Sequence, residues 1–126
     1  MLSIVKSMSL LGLDGYLVDI QVDIAAGIPS WDIVGLPDTS VKEAKERVRT
    51  AIKNSGFEFP SRKIVVNLAP ADIKKEGSFF DLPISVGILA CLEHINISQL
   101  QNTILIGELS LDGTINKING ALPMCI

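Results

Sequence analysis

Apolar and polar residues alternate with a period of two over the first 25 positions of the chain. The alternation is strictest from residue 16 onward, where every second side chain is apolar: Tyr16, Val18, Ile20, Val22 and Ile24. This period predicts a strand with one buried face. A looser alternation comes before it: Leu2, Ile4, Met8 and Leu10. Because Asp14-Gly15 supplies the backbone angles of a tight turn, residues 2–25 are predicted to form a β-hairpin.

The pattern changes to a helical period at residue 40. Ser40 and Glu43 have the spacing of a capping box, in which each side chain can satisfy an amide at the helix start. Apolar residues then recur at helical spacing: Val41, Ala44, Val48 and Ile52. Gly56 is a natural C-terminal stop, so one amphipathic helix is predicted over residues 40–55.

Two short strands and a second helix are predicted around this amphipathic helix. Branched side chains between turn residues predict strands at residues 31–35 and 63–68. Residues 82–94 are nearly all apolar and predict a buried helix. Gly87 and Ala90 are small enough to let another element approach that helix closely.

The last part of the chain carries a second hairpin signal. Asp112-Gly113 is predicted to join strands at residues 103–111 and 114–118. The resulting order is β-β-β-α-β-α-β-β. It predicts an α+β fold, in which a mixed sheet has helices packed on one face.

Composition narrows the class of protein. The 126 residues suffice for one domain with a real core, and 48% of them are hydrophobic while 20% are charged. No apolar run reaches the roughly 18 residues of a membrane span, and Lys6 interrupts the amino terminus, so no signal peptide is predicted. Cys91 and Cys125 have no partner at metal-ligand spacing. They are predicted to be reduced, buried thiols of a cytoplasmic protein.

Residues 35–90 carry a long and specific resemblance, which begins at GLPDTSVKEAKERVRTAI and runs through NLAPADIKKEGSFFDLPISVGILA. Together with residues 10–15 and 107–113, they resemble the amino-terminal domain of the ComM/YifB family of Mg-chelatase-like AAA+ proteins. The predicted order of elements, with GELSLDGTINKINGAL at its end, resembles the fold shared by the Lon proteolytic domain and ribosomal protein S5 domain 2. The resemblance implies one such domain over residues 1–126, cut before its last strand and helix, with the AAA+ ATPase domain absent.

The same resemblance implies a function. The full-length protein is expected to be a bacterial ATPase ring that binds ATP and Mg²⁺ in its AAA+ domain and processes DNA in competence. The domain itself is expected to be a non-catalytic binding and assembly module without a cofactor. Its expected partners are its own AAA+ domain, neighbouring subunits and DNA contacted independently of sequence, with no membrane contact. The alternatives are a degenerate Lon-like peptidase or a Mg-chelatase-type metal-insertion subunit.

Two kinds of catalytic site can be compared with the residues of the chain: a nucleotide-binding P-loop and the serine–lysine pair of a Lon-type peptidase. A P-loop needs a lysine after a glycine, and none of the ten glycines is followed by one. Lon-type peptidases use a serine activated by a lysine of lowered pKa. Depending on the register, Ile84 or Ser85 stands at the serine position of that pattern, and Leu122 stands at the lysine position. Because leucine accepts no proton, the resemblance implies a Lon-like fold without its catalytic pair.

Other candidate chemistry is weaker. His94 is the single histidine, at the end of the predicted apolar helix, where a capping role is the commoner one. Asp19 and Asp23 lie on the polar side of a predicted strand, and a solvated face explains them better than a metal site. No metal site is predicted.

Charge is unevenly distributed along the chain. Residues 42–75 contain nine basic and four acidic residues, a net charge of +5, while the rest of the chain carries −8. Four cations fall along one stripe of the predicted helix: Lys42, Lys45, Arg49 and Lys53. Four-apart ion pairs could neutralise this face, which is the default interpretation. The functional alternative is a DNA or partner surface formed by the stripe and by further cations beyond the helix: Arg62, Lys63, Lys74 and Lys75.

Overall fold

The computed structural model describes residues 2–11, 14–100 and 102–116. Its main sheet consists of β1 (Leu2–Leu11), β2 (Asp14–Ala25), β3 (Ser30–Val34) and β4 (Lys63–Ala69). Two helices, α1 (Thr39–Asn54) and α2 (Asp81–Cys91), follow β3 and β4 in the chain. The described part is completed by a 3-10 helix at Ile97–Leu100 and by a small hairpin of β5 (Glu108–Leu109) and β6 (Ile115–Asn116).

The strands of the main sheet lie in the order β1-β2-β4-β3. β1 and β2 form the predicted antiparallel hairpin, and β4 is antiparallel to β2. β3 and β4 are parallel, because α1 carries the chain back to the end of the sheet where β3 began. The prediction of an α+β fold with a mixed sheet is therefore confirmed.

One face of the sheet is buried beneath both helices. The alternating residues Val18, Ile20 and Val22 of β2 are fully buried, as the period of two predicted. They join apolar residues of α1 and α2 in a single core. The opposite face stays more exposed: Leu17 is 55% exposed, and Lys6 and Asp19 form an ion pair at 3.4 Å. The helices thus occupy one side of the sheet, as predicted.

The first strand buries its polar side, contrary to the alternation used to predict it. Ser3, Ser7 and Ser9 are buried, whereas Leu2 and Ile4 are exposed. The reason is the close approach of α2. Ser3 Oγ donates a hydrogen bond to the carbonyl oxygen of Gly87 at 2.7 Å. A Cβ atom at Gly87 would lie 2.6 Å from Val22 Cγ2, so the prediction that this glycine permits close packing is confirmed.

The start of α1 differs by a small step from the prediction. The N-cap is Asp38, whose Oδ1 accepts from the amide of Val41 at 2.8 Å, so the Ser40–Glu43 capping box is wrong. At the other end, Gly56 has a φ of 93°, which fits its predicted role as the stop. The loop with Lys75 adds two backbone hydrogen bonds next to the cap, at Leu36 and Asp38.

The later elements are shorter than predicted. α2 ends at Cys91 rather than residue 94, and the ring of His94 packs against Phe57 at 4.9 Å instead of capping the helix. The second hairpin turns at Asp112-Gly113 as predicted, but only Glu108–Leu109 and Ile115–Asn116 pair across it. The last two residues of the predicted strand at 114–118, and position 122, lie outside the described residues.

Candidate functional site

The predicted cationic stripe lies on the outward side of α1. Val41, Ala44 and Val48 turn toward the core and are at most 1% exposed. The stripe cations lie on the other side of the helix. Three of them are exposed, namely Lys42, Arg49 and Lys53, and the fourth, Lys45, is half-buried. Among the residues that the structure describes, none of these four cations forms an ion pair. Self-neutralisation by four-apart pairs is thus not what the structure shows for this stripe.

Aromatic residues meet beneath one cation of the stripe. The rings of Trp31 in β3 and Phe59 beyond α1 stack with their centroids 4.8 Å apart and 17° between planes. Arg49 Cζ lies 5.1 Å from the Phe59 centroid and 5.9 Å from that of Trp31, within cation–π range. The cationic surface therefore includes an aromatic pair, which the helical spacing of its cations did not indicate.

A cavity of about 260 Å³ opens at this aromatic pair. Its cationic lining residues are Arg49, Lys53 and Arg62, and no acidic side chain lines it. Arg62 and its neighbour Lys63 are both exposed at the start of β4. Cations from α1 and from the segment that leads into β4 therefore converge on one concave surface.

One residue of the predicted DNA or partner surface, Lys75, does not lie on the surface of the structure. Lys75 is fully buried, and its Nζ donates to the carbonyl oxygen of Pro70. Desolvation by burial lowers the pKa of Lys75. The side chain is buried because the backbone of its loop is bonded to the residues before α1, so its assignment to an exposed surface is wrong. Lys74 stays exposed and pairs with Glu76 at 3.6 Å.

A buried ion pair, which sequence reasoning missed, holds the inner side of α1. Arg47 Nε lies 2.6 Å from Asp81 Oδ2, and Arg47 Nη2 lies 3.0 Å from Oδ1. Asp81 is fully buried at the start of α2 and also accepts from the amide of Leu109 at 3.2 Å. The hydrogen bond to Asp81 raises the pKa of Arg47 above its ordinary value, so the guanidinium stays charged. The pair joins α1, α2 and β5, and Arg47 is not available to an external anion.

Of the positions that match the Lon pattern, Ile84 and Ser85 lie among the described residues. Ile84 is fully buried in the core. The Ser85 hydroxyl donates to the carbonyl oxygen of Leu82 at 2.8 Å, one turn back in α2. Ser85 also lines a cavity of about 170 Å³ whose other lining residues include no lysine. A serine needs an adjacent base to act as a nucleophile, and no described lysine is hydrogen-bonded to this one.

Comparison with known proteins identifies the family. A family model described as subunit ChlI of Mg-chelatase matches residues 20–126. YifB of Salmonella typhimurium is 49% identical over 121 residues, which is 96% of this chain and 24% of that protein. The competence protein ComM of Haemophilus influenzae is 44% identical over 122 residues, which is 97% of this chain and 24% of that protein.

This chain belongs to the ComM/YifB family of Mg-chelatase-like proteins. The resemblance found in the sequence is thereby confirmed. The chain spans about a quarter of the length of these relatives, with YifB of Escherichia coli, at 46% identity, covered to the same 24%.

Membership in the ComM/YifB family does not by itself say what the site binds, so its chemistry is judged from the residues that form it. In the described ranges, no group of three or more His, Cys, Asp or Glu side chains could hold a metal ion. The helices of the same ranges include none that is long and apolar enough to cross a membrane. The described part of the chain displays a row of cations that have no ion-pair partner there, beside a stacked aromatic pair.

Two contacts could not be found from sequence patterns. Arg47 and Asp81 are 34 residues apart, and Arg47 also has an ordinary four-apart partner in Glu43 at 3.7 Å. The stack of Trp31 on Phe59 depends on how the chain returns after α1. One local signal was present for Asp38, since aspartate is a strong N-cap residue directly before a helical pattern.

Proposed function

We propose that this chain is a non-catalytic binding and assembly domain that contacts DNA through the exposed side of α1. The observation that carries the proposal is the row of exposed or half-buried cations without ion-pair partners among the described residues: Lys42, Lys45, Arg49 and Lys53. Such a row binds a nucleic acid by releasing counterions from its phosphates. Because every nucleotide carries the same phosphate, this contact is independent of base sequence.

We propose further that the chain is the amino-terminal, Lon-like domain of a longer cytoplasmic AAA+ ATPase. The relatives are about four times longer than the matched part, which leaves room for an ATP- and Mg²⁺-binding domain beyond it. One relative is named a competence protein, and this supports a role in processing DNA by branch migration or recombination. The neighbouring subunits of a ring would then be protein partners of the same domain.

The experiment is a measurement of DNA affinity at several salt concentrations. Lys45, Arg49 and Lys53 are changed together to glutamine, and binding to labelled duplex and single strands is followed by fluorescence anisotropy. Each lost phosphate contact should reduce the slope of log affinity against log salt by about 0.9 on duplex DNA or about 0.7 on a single strand. The triple variant should therefore lose roughly two to three units of slope on duplex DNA.

The matched control is Lys6→Gln. Lys6 lies on the sheet face opposite the helices and pairs with Asp19, so its replacement should leave the slope unchanged. An unchanged slope in the triple variant would contradict DNA binding by α1. If ring assembly of the full-length protein were weakened instead, the same surface would be a protein interface.

A second candidate function is support of metal insertion, and the description of the matching family model favours it. It predicts that the chain binds Mg²⁺ or a porphyrin. Calorimetric titration of the chain with each ligand tests this candidate. Saturable binding would favour it over the DNA-binding role.

A further inference from the structure

The cavity beside the aromatic pair has the features of an anion site. It lies between the loop before β3, the second half of α1 and the segment that leads into β4. Arg49, Lys53 and Arg62 line it, and none of its lining side chains is acidic. At about 260 Å³ it lies just below the roughly 300–1,000 Å³ of pockets for drug-sized ligands. It is therefore suited to a small charged group rather than to a large apolar molecule.

The aromatic pair restricts one of the three cations before any ligand arrives. Arg49 lies over both rings, with Cζ at 5.1 Å from the Phe59 centroid and 5.9 Å from that of Trp31. A free arginine loses side-chain entropy when it binds an anion, and a guanidinium already held by aromatic rings loses less. This contact favours binding at Arg49 over binding at a freely moving surface lysine.

Trp31, which lines the cavity, carries a buried donor that has no acceptor among the described residues. Trp31 is 8% exposed, and its Nε1 is buried without a hydrogen-bond partner among the described residues. Buried donors in folded proteins are nearly always paired, so an acceptor oxygen that reached this atom would be favoured. Ser30 and Ser61 add hydroxyl groups to the same lining.

We infer that this cavity binds a backbone phosphate of a DNA strand. Arg49 and Lys53 reach it from α1, and Arg62 reaches it from the segment that leads into β4. A tetrahedral phosphate can accept hydrogen bonds from several directions, whereas a carboxylate accepts in one plane. The inference rests on the proposed DNA-binding function and deepens it. Lys42 and Lys45 supply long-range attraction along α1, and the cavity supplies the fixed contact.

Trp31 makes the site observable, because it is the single tryptophan of the chain. The 126-residue chain is titrated with inorganic phosphate and with a short oligothymidylate strand, at constant ionic strength, while Trp31 fluorescence is recorded. Both probes should give a saturable change, and the strand should compete with phosphate. Chloride at the same ionic strength should give none.

The variants separate the cavity from the rest of the stripe. Arg62→Gln should raise the phosphate concentration that gives half of the fluorescence change about ten-fold, as expected when one charge-assisted hydrogen bond is lost. Arg62→Lys should recover part of that loss, and Lys53→Gln is the second test should Arg62→Gln fail to fold by circular dichroism. The matched control is the pair Lys42→Gln and Lys45→Gln, which should lower DNA affinity but leave the size of the fluorescence change intact.

The outcomes distinguish this inference from the proposed function. If anisotropy detects DNA binding while Trp31 fluorescence stays unchanged, the cavity is not the contact, and DNA binding by α1 still stands. If phosphate changes the fluorescence but the strand does not bind, the cavity belongs to a free phosphate ligand, and both statements are overturned for DNA. If neither probe binds, both are wrong.

Discussion

Arg47 and Arg49 lie two positions apart in α1 and have opposite environments. Arg47 faces inward, where its side chain is 19% exposed and bound to the fully buried Asp81. Arg49 faces outward, over the rings of Trp31 and Phe59, at the edge of a cavity with two further cations. The same residue type therefore stabilises the fold at one position and is available to an anion at the other.

The difference shows that the side of the helix decides the role of each charge. The basic residue on the inner side of α1, Arg47, is paired with a carboxylate of the same chain, that of Asp81. A basic residue on the outer side has no such partner among the described residues, so an external anion can bind it. Net charge over a segment counts both kinds together, and this is why the value of +5 for residues 42–75 overstates the available surface.

The largest effect is expected when the inner arginine is removed. Arg47→Ala leaves the carboxylate of Asp81 buried without its cation, which typically costs about 3–5 kcal/mol of unfolding free energy. We expect the lower end of that range, because Arg47 retains some solvent contact. Urea denaturation measures the loss, and Arg49→Ala is the matched control on the outer side, where loss of the cation–π contact is expected to cost only about 0.5–1 kcal/mol.

A double replacement tests whether the uncompensated carboxylate of Asp81 causes this loss of stability. Changing Arg47 to Met and Asp81 to Leu together removes both charges and keeps apolar volume, and buried pairs treated in this way are often replaced at little cost. The double variant should therefore be more stable than Arg47→Ala alone. Equal instability of the two variants would mean that packing, or the Leu109 amide left without its acceptor, explains the loss rather than the uncompensated carboxylate.

A smaller effect is expected at the N-cap of α1. Asp38→Ala removes the acceptor of the Val41 amide and should cost about 0.5–2 kcal/mol of unfolding free energy. Thermal denaturation measures it, and Ser40→Ala should change stability far less, because Asp38 rather than Ser40 is the cap. A larger loss at Ser40 would restore the capping box predicted from the sequence.

Removing the outer arginine should mainly change DNA binding, because the cation–π contact that is also lost contributes only about 0.5–1 kcal/mol to stability. Arg49→Gln removes one proposed phosphate contact, so the salt slope should fall by about 0.9 on duplex DNA or 0.7 on a single strand. Anisotropy titrations at several salt concentrations measure it. A variant with full DNA affinity and an unchanged slope would remove Arg49 from the contact surface.

No change in the salt slope is expected from the buried lysine. Lys75→Gln alters a side chain that is fully buried, whereas Lys53→Gln alters an exposed one at the cavity. The first variant should keep the wild-type slope and the second should lose about one contact. If Lys75→Gln lost as much slope as Lys53→Gln, its loop would have to open when DNA binds.

Local patterns predicted most elements because those elements depend on local chemistry. The period of two in β2, the helical period of α1 and the Asp112-Gly113 turn all lie within a few residues of the structure they specify. The buried side of β1 was wrong, because it depends on how closely Gly87 approaches Ser3 from the other end of the chain. A pattern within one strand contains no information about that distant neighbour.

The candidate site was predictable in part for the same reason. Lys42, Lys45 and Lys53 were placed on one helix stripe by spacing alone. Neither the burial of Lys75 nor the position of Phe59 under Arg49 follows from spacing, since both depend on where a loop returns to the helix. Sequence therefore identified the charged surface, and the fold selected which of its members converge on the cavity.

The most direct test of the account is the salt dependence of DNA binding by the wild-type chain and by the variant with Lys45, Arg49 and Lys53 changed to glutamine. We expect the wild type to bind duplexes of unrelated sequence equally, with an affinity that falls steeply as salt increases. We also expect the slope of log affinity against log salt to be smaller by roughly two to three units in the folded variant. Equal slopes for the two proteins, or no binding by the wild type at low salt, would contradict the claim that the outer side of α1 is a DNA surface.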